Sequence, residues 1–578
     1  MEKHIPEKLE STTRTARWKW ASFLTEREEQ VFLLLTLVIG AIVGATVVAF
    51  ILLTQRFGAR IYAGREAAAW PRLLVPVLGS LVMGYLLFRF FPNARGSGVP
   101  QTKAALYARE GHISLRTVLG KFFCTSATLA SGIPLGREGP AVQVGAGIAS
   151  VLGRKLGLRQ EKVKALIPVG AAAAVAAAFN TPLAAVLFAL EEVVGDLHAP
   201  VLGSVVLASA TSWAVLRVLL GNDPLFKVPE YQLVHPIELA AYAVLGIAGG
   251  IVSAAFSKLL LWLRKKFLQL PRKTLWFQPV AGGLVVGAMG WFVPQVLGVG
   301  YAHVGEALNG GLALKVMVLL LVLKFFAVIA SYSSGNAGGI FGPSLFLGAM
   351  LGGIVGTSAQ VILPGYVGKP GAYALVGMGT AFAGIVRAPM TSVVMIFETT
   401  RDYAVIVPLM VSNLLSFFIS ARLQPKPIYD ELARQDGIHL PGEEPHASVG
   451  RMQVATILQP APEFLDSNLP IREALEKLHA GKHRALPVRS ARGLEGMAST
   501  ELLQKEVEGD SARLLSDVLS NSDFPHVHRD HTLAQALDRM AASRVDVLPV
   551  VSRANIRGLE GIVTLRDILD RYGIRAKE

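Results

Sequence analysis

The sequence predicts a polytopic membrane domain made of two homologous halves with Gly- and Pro-broken helices, followed by a soluble tandem α/β module. Three observations carry this. Of 578 residues, 52% are hydrophobic and 17% charged, against roughly 25% charged in ordinary soluble domains. The ionisable groups crowd into residues 1–28 and 426–578 and leave 29–425 sparse. Two internal repeats, one in each part, then define the halves of the membrane domain and the two units of the soluble module.

In chain order, residues 1–28 form a basic segment with Lys3, Lys8, Arg14, Arg17, Lys19 and Arg27. The first apolar run, Val31 to Thr54, is long enough to span a bilayer and lacks a following cleavage signal, so it reads as a span rather than a signal peptide. By the positive-inside tendency the N-terminus is expected in the cytoplasm. Further apolar blocks lie near 71–91, 165–190, 198–220, 236–263, 277–297, 313–331, 340–363, 371–397 and 402–420. The membrane domain is drawn at 29–430, with repeats at about 31–220 and 236–425. A polar linker, 431–450, leads to α/β units at 451–510 and 511–574.

The net charge of +14 reads as loop charge facing an anionic leaflet, and no nucleic-acid partner is expected. The single cysteine, Cys124, excludes an intrachain disulfide and a cysteine metal cluster. No HExxH, Walker A or GxSxG pattern is present, so neither a metal nor an enzyme activity is expected.

The membrane repeat is ordered. Lys121-Phe122-Phe123 recurs as Lys324-Phe325-Phe326, and the same shift of 203 carries Ser131-Gly132, Gly136 and Gly139-Pro140 onto Ser334-Gly335, Gly339 and Gly342-Pro343. At a shift of 207, Gly170, Pro182 and Glu191 match Gly377, Pro389 and Glu398. Halves with breaks in corresponding places point to a central transport site. In the soluble part, Leu486-Pro487-Val488 recurs as Leu548-Pro549-Val550, and Gly493-Leu494-Glu495-Gly496 as Gly558-Leu559-Glu560-Gly561. Amphipathic stretches at 471–479 and 533–542 precede each Leu-Pro-Val.

The chemistry-bearing candidates have plain structural readings beside functional ones. Gly96-Ser97-Gly98-Val99-Pro100 is an interfacial turn or an exposed helix start with a hydroxyl donor. Glu138, in Gly136-Arg137-Glu138-Gly139-Pro140, costs about 2.5–3.5 kcal/mol at membrane depth. It either stabilises its own helix or sits beside an anion site. Its repeat partner is Phe341 in Gly339-Ile340-Phe341-Gly342-Pro343, so the duplicated scaffold keeps the breaks and not the acid. Arg137 reads as a snorkelling charge, Glu191–Glu192 as a solvated acidic pair at a helix exit, or Glu191 as a structural feature of both halves given its repeat partner Glu398, and Tyr429 as an interfacial aromatic. Lys121 and Lys324 are either structural or raise the potential of a path.

Together GSGVP, GREGP, GGIFGP, the intervening FNTPLAAVLFALEE and KPIY resemble the CLC family of chloride channels and chloride/proton antiporters, over about residues 30–430. The C-terminal repeat resembles a pair of CBS domains. The resemblance implies an all-α polytopic membrane domain built from two inverted repeats with broken helices, followed by a cytoplasmic α/β tandem CBS module. It implies a homodimer in the plasma (inner) membrane, both termini cytoplasmic, with chloride, protons and membrane lipids as partners. Chloride would be bound by the Ser97 and Tyr429 hydroxyls and by backbone N–H groups near Ile340 and Phe341. Glu138 would be the external gate and Glu192 the internal proton-transfer acid. Gln101 and Lys103 stand where many relatives have acids, which bears on the proton entrance near Glu192.

In the second CBS-like unit, Thr564 and Asp567 match the family's ribose-binding pattern, whereas the first has Ser499 and Leu502. No cofactor is expected to be required. An adenosine nucleotide (ATP, ADP or AMP) is the expected regulatory ligand, at one site per chain at most. The leading expectation is therefore a secondary active chloride/proton antiporter. The alternatives are a passive chloride channel of the same family, separated by the acid at 192, and a CBS-regulated cation transporter, which would need acid clusters the membrane region lacks.

Overall fold

The computed structural model describes residues 28–62, 69–197, 200–221, 226, 228–229, 231, 233–400, 402–438, 440, 452–460, 464–480, 485–507, 513–519, 524–543 and 545–572. The basic N-terminal segment, apart from Glu28, and most of the linker lie outside them. The chain divides after Leu440 into two separately packed units.

The first unit is built of helices: α1 (Glu28–Tyr62), α2 (Trp70–Arg89), α3 (Val99–Tyr107), α4 (Leu115–Ala130), α5 (Glu138–Lys155), α6 (Gln160–Phe179), α7 (Pro182–Phe188) and α8 (Leu202–Leu220). These recur in order as α9 (Glu238–Leu268), α10 (Gln278–Phe292), α11 (Tyr301–Leu308), α12 (Leu314–Ser334), α13 (Phe341–Ile362), α14 (Pro370–Ile385), α15 (Pro389–Thr400) and α16 (Ile406–Leu423). The short α17 (Ile428–Gln435) closes the unit. Among the described residues, eight helices are long and apolar enough to cross a membrane.

Where the apolar blocks ran long, the helices break. Asn180 at φ 61° ends α6, and Arg387 at φ 70° separates α14 from α15, each with a proline opening the next helix. Helices α4 and α5 escaped the hydropathy reading because they bury polar groups: Thr117, Lys121, Thr125 and Thr128 in one, Glu138 and Gln143 in the other. Helix α17 extends into the stretch read as linker. Its Ile428, Tyr429, Leu432 and Ala433 form a buried stripe at helical spacing.

The halves meet head to head. Gly136 and Gly339, equivalent under the shift of 203, exchange two backbone hydrogen bonds of 2.7 Å in an antiparallel bridge. Reciprocal bonds between equivalent residues are the signature of a two-fold relation, so the repeats are inverted. Within each half the helices close on glycine. A Cβ on Gly145 or Gly170 would strike the other's backbone, and the same holds for Gly348 and Gly377, the close approach that small residues permit in membranes.

The duplicated lysines are structural. Lys121 Nζ donates to the carbonyls of Ala94 (3.1 Å) and Gly96. Lys324 Nζ donates to Val296 (3.0 Å) and Gly298 (2.6 Å). Each ammonium thus ties down the loop before α3 or α11, whose glycines at 96, 98, 298 and 300 all have positive φ. Both lysines are fully buried. Removing either leaves two carbonyls without a donor, at about 1–3 kcal/mol per buried group. Lys121→Met and Lys324→Met are each expected to lower the melting temperature in detergent, by comparable amounts. A change confined to one of them would contradict the symmetric role.

Glu191 and Glu398 are symmetric in the same way, half-buried and engaged with backbone rather than freely solvated. Glu191 accepts from the N–H groups of Met390 (3.2 Å) and Thr391 (2.8 Å) at the start of α15. Glu398 accepts from Leu183 (2.9 Å) and Ala184 (2.7 Å) at the start of α7. Each acid caps the other half's helix, where orphan N–H groups and the helix dipole favour a carboxylate.

The second unit holds two small sheets. Strands β1 (Leu465–Asp466), β2 (Ala485–Ser490) and β3 (Gly493–Ser499) form one, parallel then antiparallel; β4 (Val547–Val551) and β5 (Leu559–Thr564) pair antiparallel in the other. Helices Ile471–Ala480 and Leu533–Ser543 precede the respective Leu-Pro-Val strands. The packing crosses the boundary drawn between 510 and 511. Val454 and Ile457 join the core of β4 and β5, while Leu515 and Leu519 join that of β1–β3. Each unit is completed by the segment leading into the other.

Candidate functional site

Glu138 opens α5 at the point where the two halves meet, and it is fully buried. Its carboxylate does not serve its own helix, the plain reading of a first-turn acid. Oε2 accepts from the backbone N–H of Gly342, in the first turn of α13, at 3.2 Å. Oε1 accepts from the Tyr301 hydroxyl. Arg137 is buried rather than snorkelling, with Nε 3.9 Å from Oε1 and its guanidinium 5.7 Å from the centre of the Tyr301 ring. A carboxylate placed on a helix N-terminus occupies a position that would suit an anion.

Ser97 lies beside this junction. A Cβ on Gly139 would meet Ser97 O at 2.7 Å, Ser97 Oγ at 2.9 Å and Gly339 Cα at 3.5 Å, so only glycine lets these segments converge. Ser97 is not the helix cap expected of an interfacial turn. Gly98 takes that place, its N–H donating to Gln101 Oε1 at 2.8 Å. Tyr429, read as interfacial, is fully buried. Among the described residues, neither the Ser97 nor the Tyr429 hydroxyl has a hydrogen-bond partner. Other buried hydroxyls, Ser80 and Thr125 among them, also lack partners. What singles out this pair is its place: Ser97 stands beside the junction of the halves and Tyr429 is on α17, which Lys103 ties to α3 through Asp430. Two neutral O–H donors left unpaired in an apolar interior are costly and suit an anion without a trapping charge.

Ile340 and Phe341 stand at the start of α13, with Ile340 in the N-cap place. The Phe341 ring packs on Phe179, Phe188 and Phe382 at 4.8, 5.6 and 4.4 Å between centres. It walls the site with apolar surface where its repeat partner supplies an acid.

Glu192 belongs to a π-helical turn, Ala189–Val194, that continues α7. It is buried and ion-paired: Lys103 Nζ lies 3.1 Å from Glu192 Oε1 and 2.5 Å from Asp430 Oδ1. Lys103 therefore joins α3, the π-turn and α17, the helix that carries Tyr429. Gln101 Nε2 reaches Asp436 Oδ2 at 3.4 Å, and Asp436 also pairs with Arg264 at 2.5 Å. A cavity of about 290 Å³ opens there, lined by Arg95, Gly96, Arg264, Tyr332, Gly335 and Asp436 among others. It leads to the loop that bears Ser97, and its arginines favour anions.

Sequence reasoning missed Tyr301 and Asp430. Tyr301 had a signal: Gly298-Val299-Gly300-Tyr301 repeats Gly96-Ser97-Gly98-Val99 at a shift of 202. Asp430 had none, because its partner is 327 residues away.

In the second unit, Thr564 and Asp567 are brought together at the end of β5. Thr564 Oγ1 donates to Asp567 Oδ2 at 2.6 Å, and Asp567 Oδ1 accepts from Gln459 Nε2 at 2.8 Å. Ser499, the counterpart in the first CBS-like repeat, accepts from the Leu502 N–H at 3.2 Å.

Two inverted helical halves, broken at matching glycines around one buried cluster of hydroxyls, backbone N–H groups and carboxylates, define a polytopic transport protein of the membrane. Residues 79–421 match the family described as voltage gated chloride channel, and residues 515–573 match the CBS domain. The chain belongs to the voltage gated chloride channel, or CLC, family and is a multi-pass integral membrane protein. It is 32% identical over 354 residues to the H(+)/Cl(-) exchange transporter ClcA of Vibrio campbellii, covering 60% of this chain and 76% of that one. The crystal structure of a slow cyanobacterial Cl-/H+ antiporter superposes with a TM-score of 0.65 at 27% identity, over 70% of this chain and 97% of that one. A eukaryotic CLC transporter, at 21% identity and TM-score 0.63, shares the fold over 93% of this chain and 97% of its own.

Proposed function

We propose that the chain is a secondary active chloride/proton antiporter in which Glu138 is the external gate. The observation that carries this is the Glu138 carboxylate on the Gly342 N–H, where it competes with an anion for the same donor. Chloride beside a carboxylate favours its protonation, and the neutral acid gives up the place to chloride. Ser97, Tyr429 and the backbone at Ile340 and Phe341 would hold the chloride, and Glu192 would pass the proton on the inner side. Relatives that are named chloride/proton exchangers support the reading. Reconstituted in liposomes, the protein should move protons uphill when a chloride gradient is imposed; chloride flux without proton movement would overturn the antiporter.

A second reading, a passive chloride channel, is favoured by the ion pair between Lys103 and Glu192, which engages the inner acid with a cation instead of leaving it open to a proton path. The same assay separates the two. We further propose a homodimer with both termini in the cytoplasm of a plasma or inner membrane, surrounded by lipid.

The CBS unit is proposed to bind an adenosine nucleotide, with Asp567 taking the ribose hydroxyls in place of Gln459 and Thr564. Asp567→Ala is expected to weaken ATP binding to the full-length protein in calorimetry by roughly tenfold or more. Equal binding by the variant would place the nucleotide elsewhere.

A further inference from the structure

Glu138 has a partner that none of the family-like strings supplies. Tyr301 opens α11, directly after Gly300 at φ 88°, and its hydroxyl donates to Oε1 of Glu138. The other oxygen is on the Gly342 N–H, so the seated carboxylate is held at both ends.

The repeats explain how this donor arose. At the shift of 202, Tyr301 falls on Val99 and Val299 falls on Ser97. The halves have specialised in opposite senses. The first supplies an acid where the second has Phe341; the second supplies a phenol where the first has valine. The ring itself is fixed, edge-on to Phe226 at 5.7 Å between centres and beneath the Arg137 guanidinium at 5.7 Å. A donor already in place loses little freedom when it bonds.

We infer that Tyr301 is a positioning residue that latches Glu138 in its seated place and so limits the turnover of the transporter. The inference rests on the reading of Glu138 as the gate. A hydrogen bond to a charged group is about twice as strong as a neutral one. This one must break each time the carboxylate leaves, so its strength adds to the barrier for release. Arg137 also attracts the carboxylate, at 3.9 Å and without a hydrogen bond, and that attraction is the same with tyrosine or phenylalanine at 301. Phenylalanine at 301 keeps the ring and both of its ring contacts and removes only the donor.

The experiment uses the full chain in liposomes, with Tyr301→Phe made alone and in a Glu138→Ala background. Tyr301→Phe should raise chloride turnover by about tenfold, leave the chloride-to-proton ratio unchanged, and do nothing in the Glu138→Ala background. Unchanged or slower turnover in the otherwise native protein would overturn the latch while leaving the gate intact. An equal rise in both backgrounds would also overturn it, because the tyrosine would then act on the path rather than on the acid. If Glu138→Ala itself keeps coupled proton transport, the gate fails and the latch with it.

Discussion

Glu138→Ala is expected to abolish chloride-driven proton transport and to leave chloride flux in place. The side chain is fully buried, and its two oxygens rest on Gly342 N–H and the Tyr301 hydroxyl. Among the described residues it is the one acid that stands at the junction of α5 and α13. Without it the Gly342 N–H is free for an anion at all times, and nothing at that point can carry a proton outward. A positioned proton-transfer group contributes about 10²–10⁴ in rate, so proton flux should fall by at least roughly two orders of magnitude. Glu138→Gln, which keeps the shape and removes the proton site, should lose coupling as well. The measurement is proton uptake into liposomes against its own gradient, driven by chloride. Continued uphill pumping by either variant would sink the assignment.

Lys103→Met should have the next largest effect. Lys103, Glu192 and Asp430 have side-chain exposures of 13%, 7% and 22%, so the ion pairs are largely withdrawn from water. Methionine retains the length of the stem and removes the charge, which leaves two carboxylates facing each other. Breaking a buried pair from one side costs about 3–5 kcal/mol, and the partial exposure of Asp430 argues for the lower figure, about 3 kcal/mol. The expected result is a clear fall in melting temperature, mostly recovered in Lys103→Met with Glu192→Gln. With its cation gone, Glu192 has a proton as the remaining way to be neutral, so the single variant should also move protons faster per chloride at equal gradient. A single variant as stable as the native protein, or a double variant no more stable than the single, would show that the triad is not the link between α3, the π-turn and α17.

Much of the site was legible because its requirements are local. Glu138 sits in a short string whose glycines and proline fix a backbone break that recurs in the second half, whereas Ser97 and Tyr429, read residue by residue as an interfacial turn and an interfacial aromatic, entered the site only through the family resemblance. Tyr301 escaped because the second copy of the first string has kept only its two glycines, Gly298 and Gly300. Those positions need positive φ, at 65° and 88°, so they persist while the residues between and after them diverge. Lys103 was visible as a departure, yet its effect was not, since the sequence did not reveal that Asp430 would stand opposite. Glu191 looked like a solvated acid because a charge at a helix exit usually meets water. Here it meets the start of α15 instead, and its counterpart Glu398 the start of α7.

Membrane residence, duplication, the broken helices and the tandem soluble module are written along the chain, because apolar run length, glycine torsion and proline geometry act within a few residues. Inversion of the halves is not, since the bridge between Gly136 and Gly339 exists only once the two have met. The same holds for the buried and half-buried charges described above. Lys121 and Lys324 became loop anchors, Glu191 and Glu398 became reciprocal caps, and Lys103 became a clamp on Glu192, by virtue of what packs against each. In a low-dielectric interior the partner decides what an ionisable group does, and the partner lies as far as 327 residues away.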